Sequence, residues 1–388
     1  MTNFDLQLSK LICFSQLNLK SGDSLSINSE ESTYSFALNL AKFATKVTNL
    51  SVTIVVTENG KVSQTVPVEP NLLDIQKPKV NTQIMCRILD LNNFNYLANE
   101  DLDNISNNVI EISKYNLLSE PIDLKRRIAI PWTIVAYPSK EFVKHAFADI
   151  SDNEVLAYFA KLLRFDNENM INYWRNQSTL LQYRTNQLNA LNNFIEFKNR
   201  TSKFKAFIAD DSKWISNYIT LKNGRSFFNF LPSQNVHNNF DYKSFEGHIE
   251  ASRDFYLFGK LVKNATFNFK NGKVISYKAS QNKEALDTYF NCDDCANVVS
   301  SIFLCDEETI ESKFITKGTH PIFSFENTTS IVLGGASQDS LTNFHDQTNL
   351  DNININQSLV RLAIPIGDVF TDISINNTPI IKEGNFVI

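Results

Sequence analysis

Ser51 to Thr57, SVTIVVT, decides the architecture of the first part of the chain. The run is β-branched and nearly continuous, as expected of a strand covered on both faces, and such strands belong to parallel sheets. Upstream, Glu30 to Val47 follows the helical period, with Tyr34, Leu38 and Ala41 on its buried stripe, and Ser24 to Asn28 alternates as a short strand. Strand, helix and strand at this spacing make a βαβ unit. Residues 4 to 19 predict another helix, with Phe4, Leu8, Leu11, Ile12 and Ser15 on one face, broken by Gly22-Asp23. Asn81 to Leu91 and Asn108 to Ser113 are further candidate strands. An α/β N-terminal domain with a parallel sheet is therefore expected over residues 1–118, and a larger α+β domain over 119–388.

The second stretch opens with Arg127 to Tyr137, RIAIPWTIVAY, an apolar strand interrupted at Pro131, where an edge or bulge is expected. Ser151-Asp152-Asn153-Glu154 has the capping-box pattern ahead of Val155, Leu156, Phe159, Leu162 and Leu163. A second helix is expected over Glu168 to Phe197, burying Met170, Trp174, Leu181, Leu188, Leu191 and Ile195. From Lys203 the character turns to β: Phe204 to Ala209, Trp214 to Leu221, and a hairpin around Asn271-Gly272, whose two residues tolerate positive φ. Glu284 to Phe290 reads as a short helix.

The bulk numbers bound the function. A chain of 388 residues, 43% hydrophobic and 20% charged, has the composition of a packed globular protein, and its thirty Phe predict rigid aromatic cores. A net charge of −5 argues against nucleic acid as a partner, because phosphate backbones demand a concentrated basic surface. Lys125-Arg126-Arg127, the one compact basic run, reads as a solvated loop. No apolar run approaches a membrane span, and Met1-Thr2-Asn3-Phe4 opens no signal-peptide pattern. Five scattered Cys favour a reducing, cytoplasmic setting.

Candidate chemistry is thin. Cys292-Asp293-Asp294-Cys295 with Cys305 has half of a zinc spacing and no second pair. Gly334-Gly335-Ala336-Ser337 lacks the Gly-Lys-Ser/Thr ending of a phosphate loop and reads as a tight turn. No Ser-His-Asp grouping stands out.

Four windows carry a resemblance. They are NFLPSQNVHNNFDYKSFEG (Asn229–Gly247), DDCANVVSSIFL (Asp293–Leu304), SFENTTSIVLGGASQ (Ser324–Gln338) and VRLAIPIGD (Val360–Asp368). In order and spacing they resemble the metal-binding windows of the thermophilic metallo-aminopeptidases, the aminopeptidase T and aminopeptidase S type. The likeness extends to Trp132–Trp174, Thr266–Phe290 and the closing Gly384–Ile388. It implies the thermophilic aminopeptidase type of fold for the C-terminal domain, a homodimer, and two zinc or cobalt ions held by two Glu, two His, an Asp and a Tyr.

The frames survive here while the implied ligands do not. The family's Pro-Thr-Glu-Glu-Val-Phe falls on Pro232 to His237, so Gln234 takes the place of the catalytic Glu's neighbour and Asn235 that of the first ligand. Ser301 stands for the second Glu, Ile331 for the first His and Gln338 for the Tyr. Arg361 and Ala363 stand for the last His and Asp. Dinuclear sites neutralise two dications with carboxylates and imidazoles. A guanidinium at about 5 Å from one dication, at an effective dielectric of about 20, repels it by on the order of 6 kcal/mol.

These substitutions lead to the expectation of a pseudo-aminopeptidase, without bound cofactor, that binds a peptide or protein partner or acts as a structural subunit. The alternative is an active metal-dependent aminopeptidase, with two zinc or cobalt ions, releasing N-terminal amino acids from peptides. A rearranged metal site in that alternative would draw on His237, Glu246, His248, His320 or His345-Asp346.

Overall fold

The structure is a computed structural model and describes residues 1–48, 50–58, 61–68, 82–90, 129–138, 151–191, 193–258, 260–309, 327–342 and 354–388. Two compact units divide it. The first draws its described residues from the stretches 1–93, 122–179 and 217–232, the second from 180–216 and 233–388.

The first unit is built on the βαβ unit that Ser51–Thr57 predicts. Strands β1 (Asp23–Glu30), β2 (Ser51–Glu58), β3 (Lys61–Val68), β4 (Thr82–Asp90) and β5 (Trp132–Tyr137) form one sheet in the order β3-β2-β1-β4-β5. β2, β1, β4 and β5 run parallel, and β3 closes one edge antiparallel. β5 begins just after Pro131, which has no amide hydrogen for a ladder.

Helix α1 (Asn3–Leu11) is capped by Thr2 and Asp5 and runs into a π turn, Ile12–Gln16. Helix α2 (Tyr34–Thr48) buries Phe36, Ala37, Leu40, Ala41 and Ala44. The expected stripe of Tyr34 and Leu38 is only half-buried, because the helix is rotated to bring Phe36 onto Tyr137, rings stacked at 4.6 Å. Burying that phenyl group stabilises the unit by roughly 2–3 kcal/mol.

Helix α3 (Asp152–Leu162) starts at the predicted capping box, with the Ser151 amide donating to the Glu154 carboxylate at 3.1 Å. Helix α4 (Met170–Asn189) buries Met170, Trp174, Leu181 and Leu188 as expected, but it stops before the predicted Phe197. Phe194–Lys198 alternates in burial and forms β6 instead, so Ile195 and Phe197 reach the core as strand residues. Asn108–Ser113 and the boundary near residue 118 lie outside the described residues.

The second unit is a large, almost wholly antiparallel sheet. Its early strands are β6, β7 (Lys203–Ile208) and β8 (Ile215–Ser216). The next two, β9 (Tyr218–Thr220) and β10 (Ser226–Phe228), make a hairpin that belongs to the first unit. Then come the long β11 (Val236–Glu250), β12 (Phe255–Leu257), β13 (Lys260–Val262), β14 (Thr266–Lys270), β15 (Lys273–Lys278) and helix α5 (Lys283–Phe290). The chain closes with β16 (Val299–Leu304), β17 (Ser330–Gly334), β18 (Arg361–Pro365), β19 (Asp372–Ile375), β20 (Thr378–Lys382) and β21 (Asn385–Phe386). The sheet runs β18-β17-β16-β11-β7-β6-β19-β20-β21, with β14 and β8 attached at β11 and β15 paired to β14.

The Phe-rich composition appears here as a stack of rings. Phe197 lies on Phe204 at 4.9 Å, Phe204 on Phe245 at 4.7 Å, and Phe245 meets Phe269 edge-on at 4.9 Å. Gly247 lets β11 pass the stack, since a Cβ there would fall 2.3 Å from the Lys203 carbonyl oxygen. The predicted hairpin turn is present, with Asn271 at φ 49° and Gly272 at φ 75°.

Candidate functional site

The four windows furnish four neighbouring strands, β11, β16, β17 and β18, and their register sets what can meet. One row across the sheet reads Asn239, Ser301, Val332, Ala363, and the next reads Asn238, Ile302, Ile331, Ile364. Cross-strand partners share a face and successive residues alternate. Asn239, Ser301 and Ala363 therefore share one face, with His237 and Arg361 two residues along their own strands on the same side. Ile331 faces the opposite way with the other isoleucines and is fully buried.

The polar groups of the shared face are bonded to one another. Asn239 uses all four of its side-chain positions: Nδ2 donates to Ser337 O at 2.8 Å and Ser340 Oγ at 2.7 Å. Its Oδ1 accepts from Ser301 Oγ at 2.7 Å and the Ser337 amide at 2.9 Å. Asn235 is fully buried, with Oδ1 2.9 Å from His237 Nδ1 and Nδ2 donating to Ser233 Oγ at 3.3 Å. The His237 ring stacks on Phe303 at 4.5 Å. Burial first, and the Arg361 charge second, push the His237 pKa down to about 3, so the imidazole is neutral.

Gln234 turns to a different set of acceptors. Its Nε2 reaches Thr309 Oγ1 at 2.7 Å, Asp306 O at 3.2 Å and Asn327 O at 3.3 Å, tying three loop segments together. Gln338 opens the short helical turn Gln338–Ser340, next to Ser337 of the Asn239 network, and is half-buried. Arg361 is exposed at the start of β18, opposite Gly334. Gly334, at φ 86°, could not carry a Cβ, which would fall 2.0 Å from Val360 O; the tight turn read from the sequence is required.

One acid close to these windows gave no signal in the sequence. Glu307 is buried and accepts from Thr328 Oγ1 at 2.7 Å, the Thr329 amide at 2.6 Å and Arg253 Nη2 at 3.1 Å. Its carboxylate is spent on holding the turn that enters β17. Asn239 and Ser340 also gave no signal, since small amides and hydroxyls acquire meaning only once the register is known.

The remaining candidates are dispersed. His248 bonds Asn268 at 2.8 Å, and Glu246 accepts from the Asn271 amide at 2.8 Å, on the exposed part of β11. Asp293 braces Ser358 and the Leu359 amide while Cys292 and Cys295 are free thiols. His320, His345, Asp346 and the Lys125–Arg127 run lie outside the described residues. Among the described residues, no three His, Cys, Asp or Glu side chains gather as a metal-binding group, and no helix is long and apolar enough to cross a membrane.

A parallel-sheet unit joined to a larger antiparallel one, with four windows converging on adjacent strands, defines the two-unit architecture of the thermophilic aminopeptidase type. The sequence model of the thermophilic metalloprotease (M29) family matches residues 6–386, and the chain belongs to that family. It is similar to Aminopeptidase 2 of Geobacillus stearothermophilus, 22% identical over 270 residues, and to Aminopeptidase PepS of Streptococcus thermophilus, 20% identical over 273. These matches cover 66% and 67% of this chain and 65% and 66% of those proteins, so the chain spans slightly less than two thirds of the curated relatives' length. In fold it resembles wild-type AmpT from Thermus thermophilus, with a TM-score of 0.79, 18% identity and 99% of each chain covered. A more distant fold likeness, with a TM-score of 0.56, 10% identity and 99% and 96% of the chains covered, is to 2,5-dihydroxypyridine dioxygenase from Pseudomonas putida KT2440.

The residues that the resemblance sets at the family's metal positions do not fit two dications. Asn235 and Ser301 bring no charge and already serve internal hydrogen bonds. Ala363 offers no donor and Arg361 carries a permanent positive charge, while Ile331, expected at the first His place, points to the other face of the sheet and takes no part in this site. No catalytic step through a metal follows from this donor set.

Proposed function

We propose that this chain is a non-catalytic member of its family, a pseudo-aminopeptidase that binds a peptide or partner protein or serves as a structural subunit. The observation that carries this reading is the bonding of Ser301. Its hydroxyl sits at the second carboxylate position of the resemblance and donates to a fully committed Asn239. Asn235 supports it in the same way at the first position, and Arg361 adds positive charge on the same face. A homodimer in the cytoplasm is part of the proposal, through the family resemblance.

The test is release of leucine from an aminoacyl reporter by the full chain, with zinc, cobalt or manganese supplied. No release above the metal-only blank is expected. Metal-dependent turnover that saturates with substrate would refute the proposal.

A further inference from the structure

We propose that the outer edge of β18 at Ala363 is a docking strand for a short, extended, acidic peptide, which joins the sheet through its main chain. The inference deepens the peptide-binding reading above and rests on it. β18 ends the large sheet, with β17 on one side and no strand on the other among the described residues. Such an edge is a template for another chain.

The register shows which groups face outward. The Gly335 amide donates to Val360 O at 2.8 Å and the Ile366 amide to Thr329 O at 2.9 Å, so Val360 and Ile366 turn their main-chain groups to β17 and its flanks. Antiparallel pairing alternates by twos, which turns Leu362 and Ile364 the same way and Arg361, Ala363 and Pro365 outward. Pro365 agrees with this twice: it has no amide hydrogen, and its carbonyl is taken by the Ser252 amide, at 2.9 Å, rather than by β17. The outward amide and carbonyl of Ala363 meet no partner among the described residues.

Ser252 closes the edge at Pro365, so an added strand starts or stops opposite Ala363 and continues past Arg361. Arg361 is exposed, and with Ala363 it shares the face of the sheet that carries Ser301 and Asn239. A peptide residue paired with Ala363 has its neighbour two places along beside Arg361, about 7 Å away. A carboxylate at that place meets a permanent positive charge. Asp293, which precedes β18 in space, is already committed to Ser358 Oγ and the Leu359 amide. Ala363 is half-buried and carries only a methyl group, which leaves its main chain open to approach.

The experiment titrates the full chain with acetyl-Thr-Val-Glu-Val-Thr-amide, read by ligand-observed NMR. Its β-branched residues favour an extended chain, and its central Glu falls beside Arg361 in either chain direction. Saturable binding with a Kd of about 1 mM is expected. Hydrogen exchange at the Ala363 amide should slow on binding, while exchange at Leu362 and Ile364 stays unchanged. The same peptide with Gln for Glu should bind about tenfold more weakly, and the peptide N-methylated at both Thr should not bind. Ala363→Pro removes the outward amide, as Pro365 does naturally, and should abolish binding. Arg361→Gln should weaken it about tenfold, and Lys278→Gln, on β15, should leave it unchanged. Thermal unfolding shows that each variant is folded; if Ala363→Pro is not, the N-methylated peptide and the exchange measurement decide. No saturable binding, equal binding of the N-methylated peptide, unslowed exchange at Ala363 or undiminished affinity in Arg361→Gln overturns the proposal. So does protection of Ala363 that grows with protein concentration in the absence of peptide, which would give the edge to a second copy. Leucine release in the reporter assay overturns the reading above and this inference with it. A chain that neither releases leucine nor binds the peptide overturns this inference alone.

Discussion

Ser301 Oγ donates to Asn239 Oδ1 at 2.7 Å, joining β16 to β11 where the family resemblance places a carboxylate ligand. The same Oδ1 receives the Ser337 amide, and the opposite end of the Asn239 amide holds Ser337 O and Ser340 Oγ. The face that would present ligands is thus an internally satisfied part of the sheet.

Asn239 is the centre of that arrangement, so its loss should cost more than the loss of Ser301. Asn239→Ala strands a buried amide, a carbonyl and two hydroxyls, each worth about 1–3 kcal/mol when left unpaired. Ser301→Ala frees only one acceptor and should cost about 1 kcal/mol. Urea denaturation of both variants and of the double variant gives the coupling. An Asn239→Ala cost no larger than that of Ser301→Ala would contradict this assignment.

Returning the carboxylate to position 301 should be destabilising rather than restorative. Ser301→Glu buries a charge against Asn239 Oδ1, an acceptor that repels it, at an expected cost of about 3–5 kcal/mol. Added zinc or cobalt should not recover the lost thermal stability. A metal-dependent rise in Tm for this variant would show that the neighbouring residues can still assemble a site.

In the first unit, Arg225 grips Asp23 through two 2.8 Å bonds and donates to the carbonyl oxygens of Leu17 and Asn18, with both side chains buried. Asp23→Asn leaves the guanidinium buried without its counter-charge, and about 3–5 kcal/mol should be lost. Replacing both residues together, Asp23→Leu with Arg225→Met, should recover part of that loss. Denaturation midpoints of the two proteins provide the comparison, and equal midpoints would show that the pair is not coupled.

His237 predicts a pH dependence. Its ordinary value is 6.5 and its folded value about 3, so between these the unfolded chain takes up a proton that the folded chain refuses. Stability from this group is complete above pH 6.5 and falls as the pH drops towards 3, by up to about 1.4 kcal/mol per unit. His237→Gln should flatten the acid side of the stability profile. Identical slopes for the parent and the variant would contradict the buried, neutral imidazole.

Much of the fold was legible because backbone patterns are local. SVTIVVT and the helix before it specified a parallel unit, Ser151 and Glu154 a helix start, and Asn271-Gly272 a hairpin. The overextension of α4 to Phe197 has a physical cause: Leu188, Leu191 and Ile195 keep a helical spacing, and no Gly or Pro marks the stop. Only the pairing of β6 with β7 and β19 reveals that Phe194–Lys198 is a strand. The site was legible only as a set of frames. Which residues share a face is a property of register, which is why Ile331 and Ser301 looked equivalent in sequence and lie on opposite sides of the sheet. The polar network around Asn239 was invisible for the same reason, as its members come together only after β11, β16 and the turn before Leu341 have packed.

The most direct test of the central claim is the metal content of the full chain, purified without chelators and dialysed against zinc, cobalt or manganese before elemental analysis. The misfit of Asn235, Ser301, Ala363 and Arg361 predicts far less than one equivalent per chain. Two tightly held equivalents, lost on chelation and regained on metal addition, would contradict it.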